Sequence, residues 1–130
     1  MPELKVIADT SFLMIPGLYR VDILLELDRL LERSYKLVVP KPTVDELRRL
    51  EQRGNAEERA AARIGLAMVG RMEVVEAAGP ADEAILELAG KGDCAVATTD
   101  ASLRRRLREK GIPVIYLRHR SHLAMDGWTG

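Results

Sequence analysis

Four carboxylates set the chemical question: Asp9, Glu46, Asp82 and Asp100. Asp9 follows the apolar run "KVIA" directly, and Asp100 closes "CAVATTD". Glu46 stands one turn into a helical pattern that follows "KLVVP", and Asp82 lies behind Pro80 in the first turn of another. All four fall where a strand ends or a helix begins, so all can converge on one edge of a sheet. Converging carboxylates without cations repel and raise one another's pKa. No His or Cys cluster is available for a zinc site. Hard divalent cations with oxygen ligands, Mg²⁺ or Mn²⁺, neutralise such a pocket, and metal-assisted phosphodiester hydrolysis is the chemistry it best serves.

Taken singly, each carboxylate also has a purely structural account. Asp9 and Asp100 both suit helix N-caps. "TVDE", Thr43 to Glu46, has the form of a capping box. Asp82 and Glu83 complement a helix dipole, and Asp93 reads as a turn residue at the amino end of a strand. Only their joint placement favours a site.

The elements that must position them alternate along the chain. Short β-rich runs cover Lys5–Ala8, Lys36–Val39, Glu73–Glu76, Ala95–Thr98 and Val114–Leu117. Between them, "VDILLELDRLLER" puts Ile23, Leu24, Leu27, Leu30 and Leu31 on one helical face. "TVDELRRLEQRG" stops at Gly54, and Asn55 suits the cap of the Ala-rich helix that follows. "PADEAILELAGKG" runs from proline to glycine, and "DASLRRRLREKG" points Leu103 and Leu107 inward. Alternation of this kind predicts a three-layer α/β/α sandwich around a five-stranded parallel sheet. Ligands in such sheets sit beyond the carboxyl ends of the strands, where Asp9 and Asp100 fall.

With 130 residues, 47% apolar and 31% charged, the chain reads as one globular domain over 1–130, its core about 5–117 and a short tail at 118–130. One Phe, one Trp and three Tyr leave an aliphatic core. A lone Cys94 fits a reducing compartment, and neither a signal segment nor a membrane-length apolar run is visible, so a cytoplasmic location and no membrane partner are expected. Formal net charge is zero, yet residues 101–120 hold seven Lys or Arg against one Glu. An acidic pocket repels polyanions, so Arg104, Arg105, Arg108, Arg118 and Arg120 are the expected phosphate contacts.

"IADTSFL", the helix-start Glu46 behind a "VP" strand end, "ADEAILELA" and "VATTDASLRRRLREKGIPVIYL" together resemble the PIN-domain family of metal-dependent ribonucleases. The similarity runs from about Lys5 to Leu117 and is most specific in its late block. Within the family it is similar to archaeal stand-alone PIN proteins related to rRNA-processing nucleases, with the VapC-type toxins as the other nearby branch. What the resemblance implies is an endoribonuclease in RNA processing with one or two Mg²⁺ or Mn²⁺ ions. Asp9, Glu46, Asp82 and Asp100 would be the ligands, and Ser11 and Thr99 the hydroxyls that orient water or a carboxylate. The implied products carry a 5′-phosphate and a 3′-hydroxyl. Thr99 stands where many members carry Asn, and Glu83 where some carry a second Asp.

The VapC reading would add a toxin–antitoxin pair and a small antitoxin partner. A third reading is a catalytically weak RNA-binding or assembly protein, against which the full acidic set argues. A receiver-like signalling domain fails, since no Asp ends "EVVEA" and no Lys follows the fifth strand. A homodimer is open: the small-residue face of "ERAAARIGLAMVG" or the Trp in "MDGWTG" could serve it.

Overall fold

In the computed structural model, which describes residues 3–127, the first strand lies at the centre of the sheet. β1 (Leu4–Ala8) pairs on one side with β2 (Tyr35–Pro40), which pairs with β3 (Glu73–Val75). The chain then returns to the other side of β1 with β4 (Cys94–Ala97) and β5 (Val114–Arg118), and all these pairs are parallel. The order β3-β2-β1-β4-β5 reverses direction between β1 and β4. A crevice opens at such a reversal, outside the carboxyl ends of the two strands.

The sixth strand corrects the expected five-stranded parallel sheet and its tail. β6 (His122–Asp126) lies antiparallel to β5, with Arg118 opposite His122 and Val114 opposite Asp126. The turn between them holds His119 and Arg120 at φ 53° and 56°. Tight hairpin turns of this hand normally use Asn or Gly, so "RHRS" gives no hairpin signal. β6 is anchored from the side by α3 (Ile23–Leu31): Leu123 N–H donates to Glu26 at 2.9 Å, and Arg29 donates to Leu123 O at 3.3 Å. The Trp of "MDGWTG" lies outside the described residues.

Strand alternation sorts the core into two layers. Leu4, Val6 and Ala8 face one side, where they pack with Phe12, Leu27, Val44 and Ala61. Ile7 and Val96 face the other, against Ile85 and Leu103. The first side carries α1 (Thr10–Leu13), α2 (Ile15–Tyr19), α3, α4 (Lys41–Arg53) and α5 (Ala56–Val69). The second carries α6 (Ala81–Ala89) and α7 (Ala101–Glu109). The α/β/α sandwich is therefore present, with unequal outer layers.

Helix starts follow the expected chemistry in most places. Asn55 and Glu58 form a reciprocal capping box on α5, and Asp100 caps α7. The exception is α4, which begins at Lys41 behind Pro40. Thr43 is then fully buried inside the helix rather than capping it, so "TVDE" is no capping box and Glu46 is released from that role. The small-residue face of α5 is also spent within the chain. Ala61, Ala62 and Gly65 are buried, a Cβ at Gly17 of α2 would come 2.5 Å from Ala61 Cα, and one at Gly65 2.8 Å from Leu13 O. That close helix contact is available only to glycine, and it removes this face as a dimer surface.

Candidate active site

β1 and β4 place their carboxylates through register. Ala8 lies opposite Ala97, and Asp9 N–H donates to Ala97 O at 3.0 Å. Asp9 and Thr98 are thus the first residues past two neighbouring strand ends. Asp9 is 9% exposed. Its Oδ1 accepts Thr10 N–H at 2.8 Å, which caps α1, and its Oδ2 accepts the Thr98 hydroxyl at 2.7 Å and the Ser11 hydroxyl at 3.0 Å.

The hydroxyl network goes on to the second strand end. Ser11 Oγ accepts Thr99 N–H at 2.9 Å, and Thr98 Oγ accepts Asp100 N–H at 3.0 Å. Two hydroxyls therefore lock the Asp9 rotamer and tie it to the backbone that presents Asp100. Asp100 is exposed, and one of its oxygens, Oδ1, accepts Ser102 N–H at 2.8 Å and Leu103 N–H at 3.2 Å.

Asp9, Ser11, Glu46, Asp82 and Asp100 line one cavity of about 260 Å³, together with Thr10, Ala81 and Leu103. β1, α4, α6 and β4 thus each deliver one carboxylate to the crevice. Glu46 and Asp82 have no hydrogen-bond or ion-pair partner among the described residues. Burial pushes the Asp9 carboxyl up from its ordinary value; the Thr98, Ser11 and Thr10 hydrogen bonds pull the other way, and nearby Asp100 adds a small push upward.

Other expected positions fall elsewhere. Thr99 is exposed and enters the network only through its backbone N–H; the buried hydroxyl at the site is that of Thr98. Glu83 turns away from the cavity and pairs with Arg106 at 3.0 Å. Arg104 pairs with Asp126 at 3.0 Å and stacks 3.7 Å over the Tyr116 ring, and Arg108 pairs with the same Asp126 at 3.4 Å. Those two arginines fasten α7 to β5 and β6. Arg105, Arg118 and Arg120 are exposed.

Two residues were missed by sequence reasoning. Thr98 sits one place from the residue chosen, and only the β1–β4 register distinguishes them. Thr10 lines the cavity, and its hydroxyl is buried without a partner among the described residues; its sole signal was adjacency to Asp9. A wider cleft of about 900 Å³ flanks the starts of β2 and β3. Within it Tyr35 donates to Asp28 at 2.7 Å and Lys36 pairs with Glu73 at 2.5 Å.

Fold and pocket define an α/β/α protein with an acidic crevice at its switch point. Residues 6–120 match the family described as PIN like domain, and the chain belongs to that family. It is 31% identical to ribonuclease VapC4 of Methanocaldococcus jannaschii over 95% of this chain and 97% of that one. It is 32% identical to ribonuclease VapC9 of Archaeoglobus fulgidus, over 86% of this chain and 82% of the relative. Among solved structures, that of the PIN domain endonuclease Utp24 superposes with a TM-score of 0.78 at 24% identity, covering 96% of this chain and 92% of that one. At that identity the match speaks for the fold. No helix among the described residues is long and apolar enough to cross a membrane.

Proposed function

We propose that this protein is an endoribonuclease that depends on Mg²⁺ or Mn²⁺ and cuts RNA phosphodiester bonds. The observation that carries it is the delivery of Asp9, Glu46, Asp82 and Asp100 from four elements to one cavity. Membership of the PIN-like family and the two relatives named as ribonucleases support the substrate class.

The donor set fits a hard cation. Every candidate ligand is an oxygen, and the orphaned Thr10 hydroxyl gives a hydrated ion a further partner. Among the described residues no three acidic, His or Cys side chains form a ready ligand cluster. Mg²⁺ keeps several waters and uses one or two carboxylates plus substrate phosphates. Asp9, Glu46, Asp82 and Asp100 would hold such an ion. When bound, such an ion supplies Lewis acidity, lowering the pKa of water and offsetting charge on phosphoryl oxygens. The chain's own contribution is orientation: Ser11 and Thr98 hold Asp9, and the α7 N-terminus holds Asp100 through one oxygen while its other oxygen is left over.

A labelled structured RNA incubated with Mn²⁺, Mg²⁺ or EDTA tests this directly. Metal-dependent cutting should disappear in Asp9→Asn and Asp100→Asn. Equal intactness with wild type and variants, with binding retained, would move the protein to the RNA-binding class. For cellular role we favour RNA processing. The similarity to two VapC proteins over most of their length favours a second reading, a toxin with an antitoxin partner. A small protein that co-purifies and blocks cleavage would decide for it.

A further inference from the structure

The acidic cavity does not end at Glu46. A second cavity, of about 430 Å³, shares Glu46 and continues between α4 and α5, lined by Arg49, Leu50, Arg53, Gly54 and Glu58. Glu46, Arg49, Leu50 and Arg53 stand at i, i+3, i+4 and i+7, which places them on one face of α4. At 1.5 Å rise per residue, Arg53 lies about 10 Å along the axis from Glu46. Both guanidiniums are exposed and have no partner among the described residues. Besides Glu46, the carboxylate that lines this cavity is Glu58, which accepts Asn55 N–H at 2.9 Å in the α5 capping box. Three of the four arginines on α7 differ, since Arg104 and Arg108 are bound to Asp126 and Arg106 to Glu83.

We infer that the α4 face from Glu46 through Arg49 to Arg53 is the track that carries single-stranded RNA away from the acidic cavity. This rests on the ribonuclease reading and makes it specific: phosphates flanking the scissile bond pair with Arg49 and Arg53. A polyanion needs cations beside an acidic pocket, and free guanidiniums pair phosphates bidentately. Arg105, Arg118 and Arg120 are equally without a partner among the described residues. The placement on α4 therefore follows from continuity: the cavity of Arg49 and Arg53 shares Glu46 with the acidic one, and the cavity that Arg105 lines shares no residue with it.

The test is fluorescence anisotropy of a labelled single-stranded oligouridine in EDTA, across a salt series, beside a cleavage assay in Mn²⁺. EDTA separates binding from chemistry, so a protein that binds but does not cut sinks the nuclease reading without touching the track. Arg49→Gln/Arg53→Gln should weaken binding at least about tenfold. It should also flatten the log–log salt slope by about 1.4, at about 0.7 per lost phosphate contact. Arg49→Lys/Arg53→Lys should recover most of the slope, which a folding defect would not. Unchanged affinity in the Gln pair, a larger loss in Arg105→Gln/Arg120→Gln, or no binding by the wild type would overturn the inference. So would a polyglutamate peptide bound equally well through the same two arginines, which would point to an acidic protein partner.

Discussion

Asp9 and Asp100 end neighbouring strands with the same pattern, an apolar run closing on a carboxylate, yet their surroundings are opposite. Asp9 is buried, accepts two hydroxyls and one N–H, and has its carboxyl pushed up by burial. Asp100 is exposed and spends one oxygen on the start of α7. The difference comes from offset: Asp9 follows β1 at once, whereas Asp100 follows β4 by three residues. Ionised Asp9 opposes folding, while Asp100 supports it. One crevice thus combines a carboxylate held in place against its own desolvation with one that stabilises its helix.

The largest expected effect breaks both sides alike. Asp9→Asn and Asp100→Asn should each lower cleavage by more than about 100-fold, since loss of an outer partner alone costs 10–100-fold in metal sites. Thermal unfolding then separates them. Metal-free Asp9→Asn should melt no lower than wild type, because the desolvated charge is gone. Asp100→Asn keeps a good cap, but Asp100→Ala should lose about 1 kcal/mol. A destabilised Asp9→Asn and a neutral Asp100→Ala would reverse the comparison.

Next in size is the hydroxyl lock. Thr98→Val removes the donor to Asp9 and the acceptor for Asp100 N–H, so activity should fall about 10–100-fold and stability by about 1–3 kcal/mol. Thr99→Val, one residue away, should change cleavage by less than about threefold, because Thr99 acts through its backbone. Equal effects at the two positions would mean that the lock is irrelevant.

A pH series sharpens the asymmetry further. The folded Asp9 pKa lies above its ordinary value of 3.8, so between the two the native state binds more protons than the unfolded chain. Its contribution to stability therefore falls as pH rises through that window. The wild type minus Asp9→Asn difference in unfolding free energy should decline with rising pH and level off above the raised pKa. Activity should move the other way, rising as Asp9 deprotonates. Glu26 and Glu73, whose pKa values are lowered by Arg29 and Lys36, act in the opposite sense and cancel in the difference. Guanidinium melts from pH 3 to 8 would measure it.

Legibility followed the range of the interactions. Strand and helix positions came from local periodicity, and all five expected strands agree with β1 to β5 to within one residue at either end. All four carboxylates were visible because strand ends and helix starts are local features. What stayed hidden depended on contacts between distant segments. Thr98 was displaced to Thr99 because inter-strand register is set by pairing with β1. β6 was missed because His119 and Arg120 adopt a left-handed turn without glycine or asparagine. The Thr43–Glu46 pattern misled because Pro40 starts α4 earlier. Arg104 and Arg108 looked free until β6 brought Asp126 to them.

The smallest expected effect tests adjacency within one helical turn. Asp82 and Glu83 are consecutive acids at the start of α6, equal in dipole terms. Only Asp82 lines the cavity, while Glu83 reaches across to Arg106 on α7. That pair is about half exposed on both sides, with side-chain exposures of 44% and 58%, so its loss should cost at most about 1 kcal/mol. Glu83→Gln should therefore leave cleavage within about threefold of wild type and barely move the melting point. Asp82→Asn should instead reduce the gain in melting temperature that Mn²⁺ gives the wild type. If Glu83→Gln blunts that gain and Asp82→Asn does not, α6 presents the other face when an ion is bound. The pocket would then be built from Asp9, Glu46, Glu83 and Asp100.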